Sequence, residues 1–142
     1  MSNLREIFYQ SYDRVVSVRI DGDNYLSHFY KTFPKSDPLI QEKFAKTDFE
    51  ALIKMVHKSI NLMIKFSDNY VVSDDLRRVA LIHRKEHLDI QPHMYNLWMN
   101  ALLNTVSEFD PGFDDEVALS WKLAMSPGIT YLIHSYELKP KA

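Results

Sequence analysis

The sequence predicts an all-α protein of about seven to eight helices, and three observations indicate this class. Apolar residues recur at three- and four-residue spacing along most of the chain, which is the spacing of one face of a helix. The 142 residues include only three glycines and six prolines, too few for a protein built from many tight turns. Residues that favour helix N-caps stand immediately before the apolar segments. No segment predicts a β-sheet.

Composition and charge limit the class of function. Residues 1–142, of which 46% are hydrophobic, are long enough to bury the core of a single domain. The lack of cysteine excludes disulfides and thiolate chemistry and is typical of a reducing cytosol. A formal net charge of −2 with both signs interspersed offers no basic stripe for nucleic acid. No signal peptide or apolar run of the ~20 residues needed for a membrane span is visible. We therefore expect a soluble cytoplasmic protein that binds neither nucleic acid nor membrane.

The first part of the chain predicts three helices separated by clear breaks. A first helix falls within residues 1–20 and is capped by Asn3 or Ser2. Residues 21–24 (Asp-Gly-Asp-Asn) form a turn and open a second helix, which Pro34 limits. Pro38 in the first turn then opens a short third helix through Phe44.

The fourth helix is the most apolar in the chain. Its start matches a capping box, in which the hydroxyl of Thr47 and the carboxylate of Glu50 satisfy backbone N–H groups reciprocally. Its apolar residues at helical spacing are Phe49, Leu52, Ile53, Val56, Ile60, Met63 and Ile64. Further apolar residues on its other sides predict a central helix. Residues 67–69 end it.

Three more helices complete the chain. Residues 73–75 (Ser-Asp-Asp) cap a short fifth helix, and a sixth runs from Pro92 to about Phe109. A seventh starts near residue 114 or 115 and contains Pro127, which predicts a kink or a brief interruption at Leu123. Residues 138–142 are expected to form a frayed tail.

The fifth helix carries a histidine on its apolar face. Leu76, Val79, Ala80 and His83 stand at i, i+3, i+4 and i+7, so the imidazole points where three aliphatic side chains point. The commoner explanation of such a histidine is a core side chain satisfied by a backbone carbonyl. The alternative is a neutral imidazole that ligates a metal, with haem iron the obvious case in a helical protein. This segment by itself leaves both open.

The stretch FYKTFPKSDPLIQEKF at residues 29–44 resembles the globin family, specifically its single-domain bacterial haemoglobins. In that family the second helix carries Phe-Tyr, a proline opens the third helix and a phenylalanine stands at the following corner. Here these residues are Phe29 with Tyr30, Pro38 and Phe44.

A second segment extends the resemblance. Residues 79–83 (VALIH), followed by Ile90, Pro92 and Tyr95, are similar to the family's proximal histidine and the corner after it. The likeness covers about residues 25–136. It implies a globin fold around haem b, with His83 as the iron ligand and the opposite face free for O₂, NO or CO.

The resemblance also implies roles for individual side chains. Tyr30 would donate a hydrogen bond to bound O₂, Phe44 would wedge against the porphyrin, and the carbonyl in the Val79 turn would fix the ring of the histidine. Apolar residues of the fourth helix would exclude water, and Ile90, Tyr95 and Trp98 would touch the proximal side. The full set of expected site residues is Tyr30, Phe44, Leu52, Val56, Val79, His83, His87, Ile90, Tyr95 and Trp98. For each of them, simple core packing is the alternative.

The chain departs from the family pattern at two places. Ile90 stands seven positions after His83, slightly more than usual in the family, which leaves His87 as a rival ligand. Many family members place His or Gln on the central helix over the iron, whereas this chain has Leu52 there, or Lys54 if the register is slipped by two. Apolar residues at this position with a tyrosine on the second helix are similar to the globin domains of bacterial gas sensors. His57 or Lys54 would make the iron six-coordinate if either reached it.

Three functions remain at this point. The first is reversible O₂ binding, with NO or CO as further ligands, in storage or gas sensing. The second is a haem-free interaction module, and the third is a haem-dependent NO dioxygenase or peroxidase, against which the apolar distal residues argue. A phosphate loop, HExxH and Gly-x-Ser-x-Gly are all absent from the sequence. A homodimer or a separate signalling partner would use aromatic residues of the first and last helices, namely Phe8, Tyr9, Tyr12, Tyr131 and Tyr136.

Overall fold

The computed structural model describes residues 1–138, which form seven α-helices and no strand. A 3₁₀ turn at Phe33–Ser36 joins the second helix to the third. The helices in chain order are α1 Leu4–Ser17, α2 Tyr25–Thr32, α3 Pro38–Phe44, α4 Phe49–Asn69, α5 Asp74–His83, α6 Pro92–Phe109 and α7 Asp115–Glu137. The predicted all-α class is confirmed. Of the expected frayed tail at 138–142, Leu138 follows α7 as its C-cap and the rest lies outside the described residues.

Side-chain caps fix most helix starts where the sequence predicts them. Asn3, Asn24, Ser73 and Asp114 each accept a hydrogen bond from a backbone N–H in the first turn of the following helix. Asp37 does the same for α3. These bonds satisfy donors that have no partner within the helix.

The predicted capping box at the start of α4 is wrong by one residue. Asp48, not Thr47, is the N-cap, and its Oδ1 accepts from the backbone N–H groups of Glu50 at 3.1 Å and Ala51 at 3.4 Å. A carboxylate at this position also interacts with the positive end of the helix dipole, which a hydroxyl does not. Thr47 belongs instead to the preceding turn, where its N–H donates to the carbonyl of Phe44.

Helix α7 is continuous through Pro127, so the predicted interruption at Leu123 does not occur. Proline removes the N–H that would bond to the Leu123 carbonyl. Leu123 is 51% exposed, so water can serve that carbonyl instead. Packing of α7 against α1, α4, α5 and α6 also holds the helix through this point.

The core forms where α4 and α7 cross and where α2 and α6 close over them. Helix α4 packs against α2, α5 and α7, as expected of a central helix. Full burial is limited to its second half, at Ile60, Met63 and Ile64. In its first half Leu52 and Val56 are half-buried, because this part of the helix borders a cavity.

The aromatic residues expected to form a partner surface are mostly not on the surface. Phe8 is buried in the core, with its ring edge-on to that of Trp121 at 5.0 Å. Tyr12, Tyr131 and Tyr136 are half-buried. Tyr9 is exposed and its hydroxyl donates to Asp68. Phe8 and Tyr12 of α1 face Trp121 of α7. The use of these two helices by a homodimer or a signalling partner stays a prediction.

A cluster of polar side chains connects the first helix with the last two. The buried carboxylate of Asp110, just after α6, accepts from the hydroxyl of Ser11 at 2.6 Å and from two guanidinium nitrogens of Arg14 at 2.6 and 2.9 Å. The indole N–H of Trp121 on α7 donates to the same Ser11 oxygen at 2.8 Å. These bonds join α1, α6 and α7.

None of the helices within residues 1–138 combines the length and the apolar content that crossing a membrane requires.

Candidate functional site

A cavity of about 330 Å³ lies between α4 and α5 and is closed by residues of α2, α3, α6 and α7. This volume is in the range of small-molecule sites. Nine of the ten sequence-predicted site residues line it, namely Tyr30, Phe44, Leu52, Val56, Val79, His83, Ile90, Tyr95 and Trp98. The tenth, His87, does not line it and is exposed on the segment after α5. The structure thus brings together residues separated by up to 68 positions in sequence.

His83 is the last residue of α5, and its two ring nitrogens have different surroundings. Nδ1 lies 2.7 Å from the backbone carbonyl oxygen of Val79. A carbonyl only accepts, so Nδ1 carries the proton and donates it. Nε2 makes no hydrogen bond to any of the described residues. His83 is one of the residues that line the cavity.

Burial keeps this imidazole neutral. Desolvation lowers the pKa of His83, and the hydrogen bond to the Val79 carbonyl offsets only part of the effect. A neutral ring with its proton on Nδ1 has its lone pair on Nε2, which is the form that binds metals. The bond to the Val79 carbonyl is common to a core histidine and to a metal ligand, so the bond alone does not distinguish the two.

The rival ligands do not reach the cavity. His87 lies in the turn after α5, where its N–H donates to the carbonyl of Arg84. The chain then turns back toward the end of α5, where the N–H of Ile90 donates to the carbonyl of His83. Lys54 and His57 on α4 are exposed and are absent from the lining. The slipped register that would place Lys54 over the site is therefore wrong.

The side of the cavity formed by α2, α3 and α4 is largely apolar, and its lining includes the phenol of Tyr30 together with polar residues of α3 and α4. Leu52 and Val56 of α4 present hydrocarbon, and the ring of Phe44 meets that of Tyr30 edge-on at 5.7 Å. Tyr30 is 6% exposed. Burial raises its pKa, and a hydrogen bond from Trp98 only partly opposes this. The phenol therefore keeps its proton at neutral pH.

Trp98 has a partner that the sequence did not predict. Its indole N–H donates to the hydroxyl oxygen of Tyr30 at 2.8 Å. The expectation placed Trp98 on the same side as Ile90 and Tyr95, away from Tyr30. Helical periodicity shows that Trp98 faces inward but cannot show which distant side chain it meets, and the two residues are 68 positions apart.

Tyr95 contributes a buried hydroxyl without a partner among the described residues. Its ring packs with Ala80 of α5 and Leu132 of α7, and desolvation raises its pKa. An unpaired buried hydroxyl is costly, so a ligand or water that accepted a hydrogen bond from it would be stabilised.

Sequence reasoning missed several polar residues of the lining, among them Lys43, Asp48 and Ser59. Ser59 was detectable, since it stands seven residues after Leu52 on the same face of α4. Lys43 and Asp48 flank the turn between α3 and α4, whose path no periodic pattern predicts.

The residues present fit a flat, largely apolar group that carries a metal. The walls are hydrocarbon and aromatic, and one neutral imidazole offers a free nitrogen. Lys43 adds a cation to the lining. Within residues 1–138 no cluster of three or more His, Asp or Glu side chains is arranged to hold a metal ion.

The helices and the pocket together define an all-α protein with an internal cavity. A crystal structure of a Pseudomonas aeruginosa PAO1 protein, described as structurally highly homologous to a human hemoglobin, matches the chain with a TM-score of 0.85. The two sequences are 30% identical, and the match covers 94% of this chain and 98% of that one. No protein-family model and no curated protein matches the chain. The chain belongs to the globin family.

Proposed function

We propose that the protein binds haem b in the cavity beside His83 and that the haem reversibly binds a diatomic gas, with O₂ as the main ligand and NO and CO as further ones. The carrying observation is the state of His83. One nitrogen is bonded to the Val79 carbonyl at 2.7 Å, and the other has no partner among the described residues and borders an apolar cavity.

Individual residues of the chain would hold the group. His83 would supply the nitrogen for the iron, and its bond to the Val79 carbonyl would fix the orientation of the ring. Phe44, Ile90 and Tyr95 line the cavity and would supply aromatic and aliphatic surface against the macrocycle. When bound, the haem iron supplies the coordination position at which gases bind.

The side of the cavity opposite His83 favours a gas ligand that accepts hydrogen bonds. Tyr30 is a protonated phenol held against Phe44. Leu52 and Val56 exclude water, which protects ferrous iron from oxidation. This arrangement suits O₂ binding in storage or gas sensing better than peroxide chemistry, which needs an acid–base group beside the iron.

The cavity itself argues against a haem-free interaction module. Protein interiors are close-packed, so a globin domain without a cofactor would be expected to fill this space with side chains. Here about 330 Å³ remain open beside a free imidazole nitrogen.

The test is the absorption spectrum of protein produced with haem available. We expect a Soret band that is lost in His83→Ala and kept in the matched control His87→Ala, four residues further on and outside the cavity. A wild-type protein without a Soret band, or a band lost only in His87→Ala, would contradict the proposal.

A further inference from the structure

The hydrogen bond between Trp98 and Tyr30 constrains the direction of the Tyr30 proton. An indole N–H can only donate, so the Tyr30 oxygen must be the acceptor of this 2.8 Å bond. The hydroxyl's own proton therefore points away from Trp98. The described residues offer it no acceptor, because Tyr30 appears in no hydrogen bond as a donor.

The ring of Tyr30 has little freedom to turn. It lies edge-on to the rings of Phe29 at 4.5 Å, Phe33 at 6.1 Å and Phe44 at 5.7 Å. Trp98 also packs against Phe29, with the ring centroids 5.9 Å apart. With the ring fixed by packing and one lone pair occupied, the hydroxyl proton is restricted to the remaining directions.

The bond to Trp98 also makes the phenol a better donor. An oxygen that accepts a hydrogen bond is polarised, and its own O–H then donates more strongly. A buried donor without an acceptor is also costly. An acceptor that enters the cavity therefore removes this cost and receives a hydrogen bond from a strengthened donor. Bound O₂ carries partial negative charge and accepts well, whereas CO accepts weakly.

We propose that Trp98 is a positioning residue that directs the hydroxyl proton of Tyr30 at the gas ligand and thereby favours O₂ over CO. This inference rests on the proposed function, because it concerns a ligand bound to haem in the same cavity.

The first experiment measures ligand dissociation rates of the full-length haem protein. Trp98→Phe keeps an aromatic ring but removes the N–H donor together with part of the indole volume, and the Trp121→Phe control below has the same loss of volume. We expect it to speed O₂ dissociation about three- to tenfold, and Tyr30→Phe to speed it more. The CO dissociation rate should change less than about twofold in Trp98→Phe, since CO gains little from the phenol. The double variant Tyr30→Phe with Trp98→Phe should match Tyr30→Phe alone, because Trp98 acts through Tyr30.

The chain offers a matched control in its other tryptophan. Trp121 also donates its indole N–H to a hydroxyl at 2.8 Å, that of Ser11, but it does not line the cavity. Trp121→Phe should leave the O₂ dissociation rate unchanged. An equal effect of Trp121→Phe would show that general loosening of the core, rather than positioning, changes the rate.

A second measurement detects the bond without reference to O₂. The chain has only two tryptophans, so the nitrogen–proton NMR spectrum of the CO-saturated ferrous protein contains two indole signals. Tyr30→Phe should shift the signal that disappears in Trp98→Phe and leave the Trp121 signal in place.

The outcomes separate the two proposals. A wild-type protein without a Soret band overturns the proposed function and this inference together. A Soret band with an unchanged O₂ dissociation rate in Trp98→Phe overturns this inference alone. Additive effects in the double variant, or equal acceleration for O₂ and CO, would also overturn it, because they indicate a steric role.

Discussion

Leu52 and Val56 give the α4 side of the cavity its hydrocarbon surface, and in the proposed function they exclude water from the gas ligand. Both are half-buried and line the cavity, while Lys54 between them points to solvent. A polar side chain in place of either would stabilise water there, since polar groups in an apolar site recruit hydrogen-bonding partners.

Replacing Leu52 by glutamate tests this role, because an ionised carboxylate recruits water but cannot donate a hydrogen bond to O₂. We expect Leu52→Glu to raise the rate at which the ferrous, O₂-bound protein oxidises by roughly tenfold, which corresponds to about 1.4 kcal/mol. The measurement is the decay of the visible absorption bands in air. Lys54→Glu is the control and should oxidise like the wild type. The opposite ranking would mean that Lys54, and not Leu52, faces the iron.

His83 shows how far the sequence leads at the residue scale. The bond to Val79 was predictable, because residues four apart on a helix are one turn apart and a terminal side chain can reach back to that carbonyl. The choice against His87 rested only on spacing. In the structure the turn after α5 leaves His87 exposed and outside the cavity lining, whereas His83 is part of the lining.

The start of α4 shows the limit of local sequence motifs at the element scale. Thr47 and Glu50 have the capping-box spacing, yet Asp48 makes the cap. Both residues favour this role, so local preference cannot choose between them. The preceding turn, in which the Thr47 N–H bonds to the Phe44 carbonyl, decides it.

Alanine substitutions distinguish the two possible caps. Asp48→Ala should lower the free energy of unfolding by about 1 kcal/mol, because two backbone N–H groups lose their acceptor. Thr47→Ala should change it by less than about 0.5 kcal/mol. Urea denaturation of the two variants measures both values, and a larger loss in Thr47→Ala would restore the original prediction.

The crossing of α4 and α7 depends on a glycine that helical periodicity does not single out. A Cβ on Gly128 would lie 2.5 Å from Cγ of Met63, so the two helices approach closely only because this position has no side chain. In the sequence Gly128 simply follows Pro127 and suggests a break. Packing from four neighbouring helices overrides that local preference.

At the scale of the whole molecule, Asp110 links both ends of the chain. Burial alone would raise its pKa, but the hydrogen bonds from Arg14, Ser11 and the Gly112 backbone together lower the pKa below its usual range. A carboxyl with a lowered folded-state pKa contributes stability above its unfolded pKa of about 3.9. That stability is lost as the pH falls through this value toward the folded pKa.

Asp110→Asn removes the charge but keeps the shape. We expect it to lower the free energy of unfolding at pH 7 by about 2 kcal/mol, as for lost hydrogen bonds to a charged group. The difference in the free energy of unfolding between the wild type and the variant should decrease as the pH falls below about 4. Denaturation curves at several pH values measure this, with the exposed Asp13→Asn as a control of equal charge change. If the difference in the free energy of unfolding did not depend on pH, the charge of Asp110 would not be what stabilises the fold.

A second long-range connection holds the segment that follows His83. The hydroxyl of Tyr136 donates to Asp89 at 2.6 Å, and the guanidinium of Arg84 donates to the carbonyl of Leu138 at 2.9 Å. The end of α7 thus fixes the loop that returns the chain from His83 to α6.

The sequence by itself determined the helices and which of their faces turn inward, because capping and periodicity act within a few residues. With the globin resemblance it also placed nine of the ten expected site residues on one cavity. Only the tertiary structure decided which of those side chains meet. The bond from Trp98 to Tyr30, the exclusion of His87 and the close approach at Gly128 depend on how distant helices pack, and no local pattern records that packing.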